Sequence, residues 1–84
     1  MDLIKLSRIS MKHLVTLHVM LDTLSVTVSA ERLCLSPSSV SKTLAQLRES
    51  LNDELFYRHG NQLVATPLAR RLGPTVHQMI NEMN

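Results

Sequence analysis

Residues 36–51 carry a helix start signal followed by an apolar stripe, and this combination constrains the fold more than any other feature. Ser36 precedes Pro37. Serine is a preferred N-cap because its hydroxyl accepts a hydrogen bond from a free first-turn N–H, and proline suits the first helical position. The sequence therefore predicts a helix over 37–51 that packs on a core through one face. Its apolar residues recur at spacings of four, three and four: Val40, Leu44, Leu47 and Leu51.

The opposite face of this predicted helix is polar and has one cation, Lys42. A helix that is only solvated is usually rich in Glu/Lys pairs. This face instead fits a partner surface. Its other polar residues are Ser38, Ser39, Thr43, Gln46 and Glu49.

Composition favours one small α-helical domain. A chain of 84 residues is long enough for a single core. Because aromatic residues make up only 2%, that core must consist of Leu, Val, Ile and Met. The net charge of +2 permits nucleic-acid binding, but it is equally ordinary for a soluble protein.

Cysteine usage and the N-terminal charges favour a cytoplasmic protein. One cysteine, Cys34, allows no intrachain disulfide, which fits a reducing compartment. Lys5, Arg8 and Lys12 interrupt any apolar run near the N-terminus, so a signal peptide is not expected. No segment has the length needed to cross a membrane.

Three segments precede the 37–51 helix. Residues 1–10 are predicted to form a loose leader that can include a helical turn, and residues 11–24 a first helix. Ser25 can cap a second, short helix over 26–33. The β-branched residues at its start also permit a strand, but we favour a helix because the next capped helix follows at once. Two helices separated by a two-residue turn form a helix–turn–helix.

A hairpin and a last helix follow. The β-prone runs at 55–58 and 63–65 are joined by residues with turn chemistry. Thr66 and Pro67 then start a helix that Pro74 should kink or restart. Its apolar residues form a heptad-like seam, which predicts either a dimer interface or packing against the first helix. The seam and its flank comprise Leu72, Val76, Met79, Ile80 and Met83.

These elements predict a mainly α winged helix–turn–helix with a three-helix core, a small β-hairpin wing and a C-terminal linker helix. The domain is expected over 11–66, after a leader at 1–10, and the linker or dimerisation helix over 67–84. In such a fold the second motif helix enters the DNA major groove, and the wing reaches the minor groove or the backbone.

Several motifs, in order and spacing, resemble the N-terminal domain of LysR-type transcriptional regulators. Where that family carries Ser-Phe-Thr-x-Ala-Ala, this chain has Ser-Val-Thr-Val-Ser-Ala at 25–30. The family's Leu, two turn residues and Ser-Gln-Pro-Ala-Val-Ser correspond to 33–41. Its Leu-Phe-x-Arg is intact at 55–58 and its Thr-x-x-Ala at 66–69. The Asn-Asp-Glu-Leu-Phe run at 52–56 is most similar to LeuO- and NodD-like members.

The resemblance implies DNA contacts at the start of the 37–51 helix. The family's Gln-Pro pair, which includes base-contacting positions, is replaced here by Pro37 and Ser38, so the DNA preference is expected to differ. Arg48 stands where the family usually has an acidic residue, which adds positive charge. The implied base readers are Ser38, Ser39, Lys42 and Thr43, with Pro37 and Gln46 as further contacts.

Phosphate contacts implied by the resemblance are Thr27, Ser41 and Arg58. Each has a plainer alternative. Thr27 can cap its helix, Ser41 can bond back to a helix carbonyl, and Arg58 can pair with Asp53 or Glu54. Lys42 can likewise be a solvated lysine.

In the wing, Asn61 fills a position where the family often has arginine, which puts minor-groove contact by the wing in doubt. His59 or Gln62 can substitute for it.

Other chemistry finds little support in the sequence. His13, His18, His59 and His77 are far apart in sequence, and none is spaced as a metal ligand with Cys34. For Cys34 a small buried thiol is expected, with a redox sensor as the alternative. No cofactor, metal or catalytic arrangement is predicted.

The sequence thus predicts sequence-specific double-stranded DNA binding by a bacterial transcriptional regulator. The family resemblance adds a homodimer and an effector domain outside this chain, and a small-molecule effector is expected only with that domain. The alternative from another class is a winged-helix protein–protein interaction module without DNA binding. An enzyme is not expected.

Overall fold

The computed structural model describes the backbone of residues 2–82 and the side chains of residues 5–82. Within this range the chain forms a mainly α winged helix–turn–helix, as predicted. The elements in order are α1 (Asp2–Ser7), α2 (Met11–Thr23), α3 (Val26–Leu33), α4 (Pro37–Leu51), β1 (Phe56–His59), β2 (Gln62–Ala65) and α5 (Pro67–Glu82).

Serine side chains begin three consecutive helices. The Oγ atom of Ser10 accepts a hydrogen bond from the backbone N–H of His13 at 3.3 Å, at the start of α2. Ser25 and Ser36 do the same for α3 and α4, each at 3.1 Å. Each cap satisfies one of the free N–H groups of a first turn. The predicted start of α4 is therefore confirmed.

The segment from Val26 to Leu33 is helical despite its β-branched start. Its serine cap and its packing outweigh the weak intrinsic propensity, because Ser29 and Ala30 are buried against the neighbouring helices. The turn to α4 is made by Cys34, which has a left-handed φ of 57°. The N–H of Leu35 then donates to the carbonyl of Ala30 at 2.9 Å, which closes the end of α3.

The predicted apolar stripe of α4 lies in the core, as expected. α2 contributes the facing side chains Leu14, Leu17 and Met20, all buried. Burial of leucine side chains is the main stabilising contribution available to a chain this small. The α4 stripe consists of Val40, Leu44, Leu47 and Leu51, none more than 4% exposed.

The N-terminal segment is not the loose leader that the sequence predicts. Residues Asp2–Ser7 form a helix that contacts α5. Leu6 is completely buried and belongs to the main hydrophobic cluster. The segment is ordered because α5 offers an apolar surface that sequence periodicity does not reveal.

The wing is a tight hairpin. Phe56 pairs with Ala65, and His59 pairs with Gln62, so the turn itself has only two residues, Gly60 and Asn61. Gly60 has a φ of 65°, the positive value that such a turn favours in glycine. The strands thus extend further toward the tip than the β-prone runs in the sequence indicate.

The apolar seam of α5 faces the interior, which corrects the dimer assignment for two of its members. Leu72 and Val76 are 2% and 0% exposed in the monomer, and α5 packs along α2. A side chain that is already buried cannot contact a partner. Met79 and Ile80 remain half-buried, and Met83 lies outside the described residues. α5 also continues through Pro74 without restarting.

The carboxylate of Asp53 joins α4, the hairpin and α5. One of its oxygens accepts from the N–H of Leu55 at 2.9 Å and from the hydroxyl of Thr66 at 2.7 Å. The Thr66 hydroxyl oxygen in turn accepts from the N–H of Ala69 at 3.1 Å, so Thr66 caps α5. This carboxylate therefore fixes how the wing leaves α4 and how α5 begins.

Replacing Leu72 by alanine tests the interior position of the seam. We expect Leu72→Ala to lower the free energy of unfolding by about 2–5 kcal/mol, because it leaves a cavity in the core. Gln78→Ala, on the exposed side of the same helix, should change it by less than about 0.5 kcal/mol. Urea denaturation followed by circular dichroism measures both. If both variants change the free energy of unfolding by similarly small amounts, and if stability depends on protein concentration, the seam is instead an intermolecular interface.

Replacing Asp53 by alanine tests the three-element junction. Hydrogen bonds to a charged group contribute about 1.5–3 kcal/mol each, so Asp53→Ala should reduce the free energy of unfolding by at least about 2 kcal/mol. Glu54→Ala removes the adjacent, exposed carboxylate, and only its backbone carbonyl is bonded here. It should leave stability within about 0.5 kcal/mol of the original protein. Equal losses for the two variants in urea denaturation would contradict the assignment.

Candidate nucleic-acid interface

A groove of about 760 Å³ lies between the start of α3, one side of α4 and the hairpin. We call it the wing groove. Its lining combines apolar side chains with hydroxyl, amide and guanidinium groups. The lining residues are Thr23, Leu24, Ser25, Val26, Thr27, Ser41, Leu44, Arg48, Phe56, Tyr57, Arg58, Asn61, Gln62 and Leu63.

All three residues expected to contact phosphate line the wing groove. Thr27 is at the start of α3, Ser41 is on α4, and Arg58 is on β1. Residues from these three elements therefore border one groove. None of the lining residues is an aspartate or glutamate, and two are arginines. The groove therefore has the charge and the donors that a phosphate group requires.

These three side chains do not make the structural interactions that the sequence offers as alternatives to phosphate contact. The cap of α3 is Ser25, not Thr27. Among the side chains described, those of Ser41 and Arg58 make no hydrogen bond or ion pair, so Ser41 does not bond back to its helix. The Asp53 carboxylate bonds to Leu55 and Thr66 instead of Arg58. These donors are consequently available to a ligand.

The first turn of α4 presents a cluster of serine hydroxyls. The Oγ atom of Ser36 lies 3.1 Å from the Oγ atoms of both Ser38 and Ser39, and it also caps the helix. The three side chains and Pro37 are exposed. Hydroxyl groups both donate and accept, so this cluster can match either kind of group on a base edge.

Further along α4, two of the remaining candidates continue the exposed face. Lys42 and Gln46 are exposed and lie four residues apart, one above the other on the helix. Lys42 makes no ion pair or hydrogen bond with any other side chain in the described range. Thr43 is partly buried, so it is less accessible than the sequence pattern indicates.

The candidate residues near the tip of the wing do not all face the wing groove. Asn61 and Gln62 line the wing groove. His59 is exposed at the end of β1 but does not line the groove. The tip of the wing therefore presents two amide groups to the groove, while the imidazole of His59 lies elsewhere on the wing.

Arg48 and Tyr57 also line the wing groove, although neither is among the contacts expected from the sequence. Arg48 lies seven residues after Ser41, which is two helical turns. That spacing puts both side chains on the same side of α4, and it is the sequence signal that identifies Arg48. Tyr57 alternates with buried Phe56 on β1 and is 39% exposed.

One expectation about other chemistry is wrong. Cys34 is exposed instead of buried, because it forms the left-handed end of α3. His18 and His77, distant in sequence, contact each other across α2 and α5 with ring centres 5.1 Å apart. No group of three metal-ligating side chains occurs within the described part of the chain. In the same part, no helix is both long and apolar enough to span a membrane.

Comparison with protein families gives a match over most of the chain. Residues 11–70 match the family described as bacterial regulatory helix-turn-helix protein, lysR family. The matched range contains the helix–turn–helix, the wing and the beginning of α5.

Relatives of known sequence agree with this match. The chain is 36% identical over 67 residues to nodulation protein D 3 of Rhizobium meliloti, covering 80% of the chain and 21% of that protein. It is 35% identical over 78 residues to the HTH-type transcriptional regulator SyrM 1 of Sinorhizobium fredii, covering 93% and 23%. The chain thus spans about a fifth of the length of these relatives. The expected likeness to NodD-like proteins is confirmed.

Solved structures share the fold. A probable transcriptional regulator from Pseudomonas aeruginosa superimposes with a TM-score of 0.86 at 30% identity, covering 94% of this chain and 26% of that one. The BenM DBD in its complex with catB site 1 DNA gives a TM-score of 0.83 at 20% identity, covering 89% and 84%. At that identity the second likeness shows the fold alone.

Proposed function

Because the chain belongs to the lysR family of bacterial regulatory helix-turn-helix proteins, we propose that it binds double-stranded DNA in a sequence-specific manner and controls transcription at the promoters it binds. The protein acts by binding, and no catalytic step is part of this role. We also propose that it works in the bacterial cytoplasm, where its DNA partner is located.

The observation that carries this proposal is the wing groove with its three unengaged donors. Thr27, Ser41 and Arg58 come from three separate elements and converge on one acid-free groove. A purely structural role in the core or in the hairpin does not require polar donors from three elements in one groove. Binding of a DNA strand requires them, because phosphate contacts fix the register and orientation of a protein on the duplex.

Base reading is assigned to the first turns of α4. The helix enters the major groove with its N-terminal end leading, as in other helix–turn–helix proteins. Ser38, Ser39 and Lys42 then face base edges, with Gln46 one turn behind and Pro37 in contact at the entry point. Thr43, being partly buried, has a smaller role. The apolar stripe on the other side of α4 keeps this face oriented toward the DNA.

The wing contributes backbone contacts near its tip. Asn61 directs an amide toward the groove in which Arg58 lies. His59, on the outside of the wing, is positioned for a neighbouring part of the same duplex. Amide and imidazole groups hydrogen-bond to phosphate oxygens more weakly than a guanidinium does, so Arg58 is the principal anchor of the wing.

We further propose that the protein is a homodimer that uses the C-terminal half of α5. Met79 and Ile80 are half-buried in the monomer and therefore retain apolar surface for a partner. Two domains related by a two-fold axis then bind two half-sites, as dimeric helix–turn–helix proteins do.

The dimer is tested by Met79→Glu, which places a charge on this apolar surface. We expect the variant to sediment as a monomer at concentrations where the original protein sediments as a dimer. Gln78→Glu adds the same charge on the exposed side of α5 and should leave the dimer intact. An original protein that stays monomeric at high concentration would refute the dimer.

Lys42→Ala tests the contact of α4 with DNA. The variant should bind its target more weakly and with a smaller salt dependence, because one cation fewer displaces counterions from the DNA. Lys5→Ala, a matched loss of one exposed lysine on α1, should bind normally. Fluorescence anisotropy with a labelled duplex at several salt concentrations measures both. If Lys42→Ala binds every tested duplex with unchanged affinity, Lys42 has no contact role.

Selection of bound fragments from random duplex DNA tests the proposed function as a whole. We expect enrichment of a defined sequence motif, repeated in two half-sites if the dimer forms. The absence of any enriched sequence, together with no salt-dependent binding to the starting pool, would contradict DNA binding and favour a protein partner.

A further inference from the structure

We propose that Arg48 is a second phosphate-binding arginine, which extends the backbone contact from the wing to the C-terminal half of α4. This inference rests on the proposed DNA-binding function. Neither the sequence motifs nor the expected base and phosphate contacts include this residue. The place of Arg48 in the wing groove, its hydrogen bonding and the charge around it support this role.

The position of Arg48 connects it to the same ligand as Arg58. Both side chains line the wing groove, one from α4 and one from β1. Ser41 lies on the same side of α4, two turns before Arg48. A strand that contacts Ser41 and Arg58 therefore passes over a groove whose wall contains a second guanidinium.

Hydrogen bonding pre-organises the Arg48 side chain. Its Nε donates to the backbone carbonyl of Glu54 at 2.9 Å. This bond holds the guanidinium against the α4–β1 connection while the side chain remains exposed. No other side-chain bond of Arg48 occurs within the described residues, so both Nη groups keep their donors. A guanidinium fixed at Nε loses less conformational entropy when its outer edge binds a phosphate.

The charge of the groove favours an anion between the two arginines. Arg48 and Arg58 are the charged residues among those that line it, and no carboxylate does. Two cations facing one cavity repel each other unless an anion lies between them. Consecutive phosphates of a DNA strand, spaced about 3.4 Å along the helix axis, provide a row of such anions.

A purely structural role makes a different prediction. Arg48 lies in the last turn of α4, where a cation interacts favourably with the helix dipole, and its bond to Glu54 supports the wing. If this were its whole contribution, removing it would lower stability without changing how many phosphates the protein contacts. The salt dependence of DNA binding separates the two roles.

The first test compares Arg48→Gln with Arg32→Gln on one selected duplex. Arg32 pairs with Asp22 on the α2–α3 side and does not line the wing groove, so it matches the loss of charge. We expect Arg48→Gln to reduce the slope of log K against log salt by about 0.9, and to weaken selected and random duplexes by the same factor. Arg32→Gln should keep the original slope, and Arg48→Lys should restore most of it.

A second measurement needs no substitution and covers the case in which Arg48→Gln does not fold. The Nε–H resonances of Arg48 and Arg58 are followed by NMR in the full chain as the duplex is added. Both should shift. A shift of Arg58 alone, or an unchanged slope in folded Arg48→Gln, would overturn the inference while leaving DNA binding intact. Failure of the original protein to bind any duplex would instead refute the proposed function.

Discussion

The arrangement of the site depends on the hydrogen bonds that the Asp53 carboxylate accepts. It accepts hydrogen bonds from the N–H of Leu55 and the hydroxyl of Thr66, just after α4 and just before α5. Leu55 is buried and has a φ of 66°, a conformation that costs free energy in a residue other than glycine. The hydrogen bond to Asp53 offsets part of this cost. With this turn fixed, the hairpin lies beside α4, and the wing groove is a consequence.

In the proposed function, the two faces of α4 connect that framework to DNA. Four buried apolar side chains fix the rotation of the helix, so its polar residues must point outward. The Ser36 cap begins the helix just before Ser38 and Ser39, whose hydroxyls are exposed. In the proposed DNA complex, phosphate anchoring by the wing groove and base reading by this first turn act together, because one domain holds both. The proposal assigns the sequence preference to a few short side chains.

Local signals in the sequence predicted the parts of the fold that local interactions decide. The Ser25 and Ser36 caps and the α4 stripe follow from neighbouring residues alone. The predicted hairpin also forms, although its turn is shorter than the connection that the sequence indicates. Neighbouring residues do not determine which surface an apolar helix face packs against. The Leu72 and Val76 seam fits a partner or the core equally well by periodicity, and the core position depends on α2. The burial of Leu6 on α5 and the contact of His18 with His77 are long-range for the same reason.

Mapping the backbone amide resonances during titration with a selected duplex tests the central claim most directly. If α4 reads DNA while the wing groove holds the backbone, the largest shifts should fall on the first turn of α4, the start of α3 and β1. The amides along the outer side of α1 should stay unchanged. Shifts confined to α1 and α5, with the wing groove unaffected, would show that this protein binds DNA by another surface and would contradict the account.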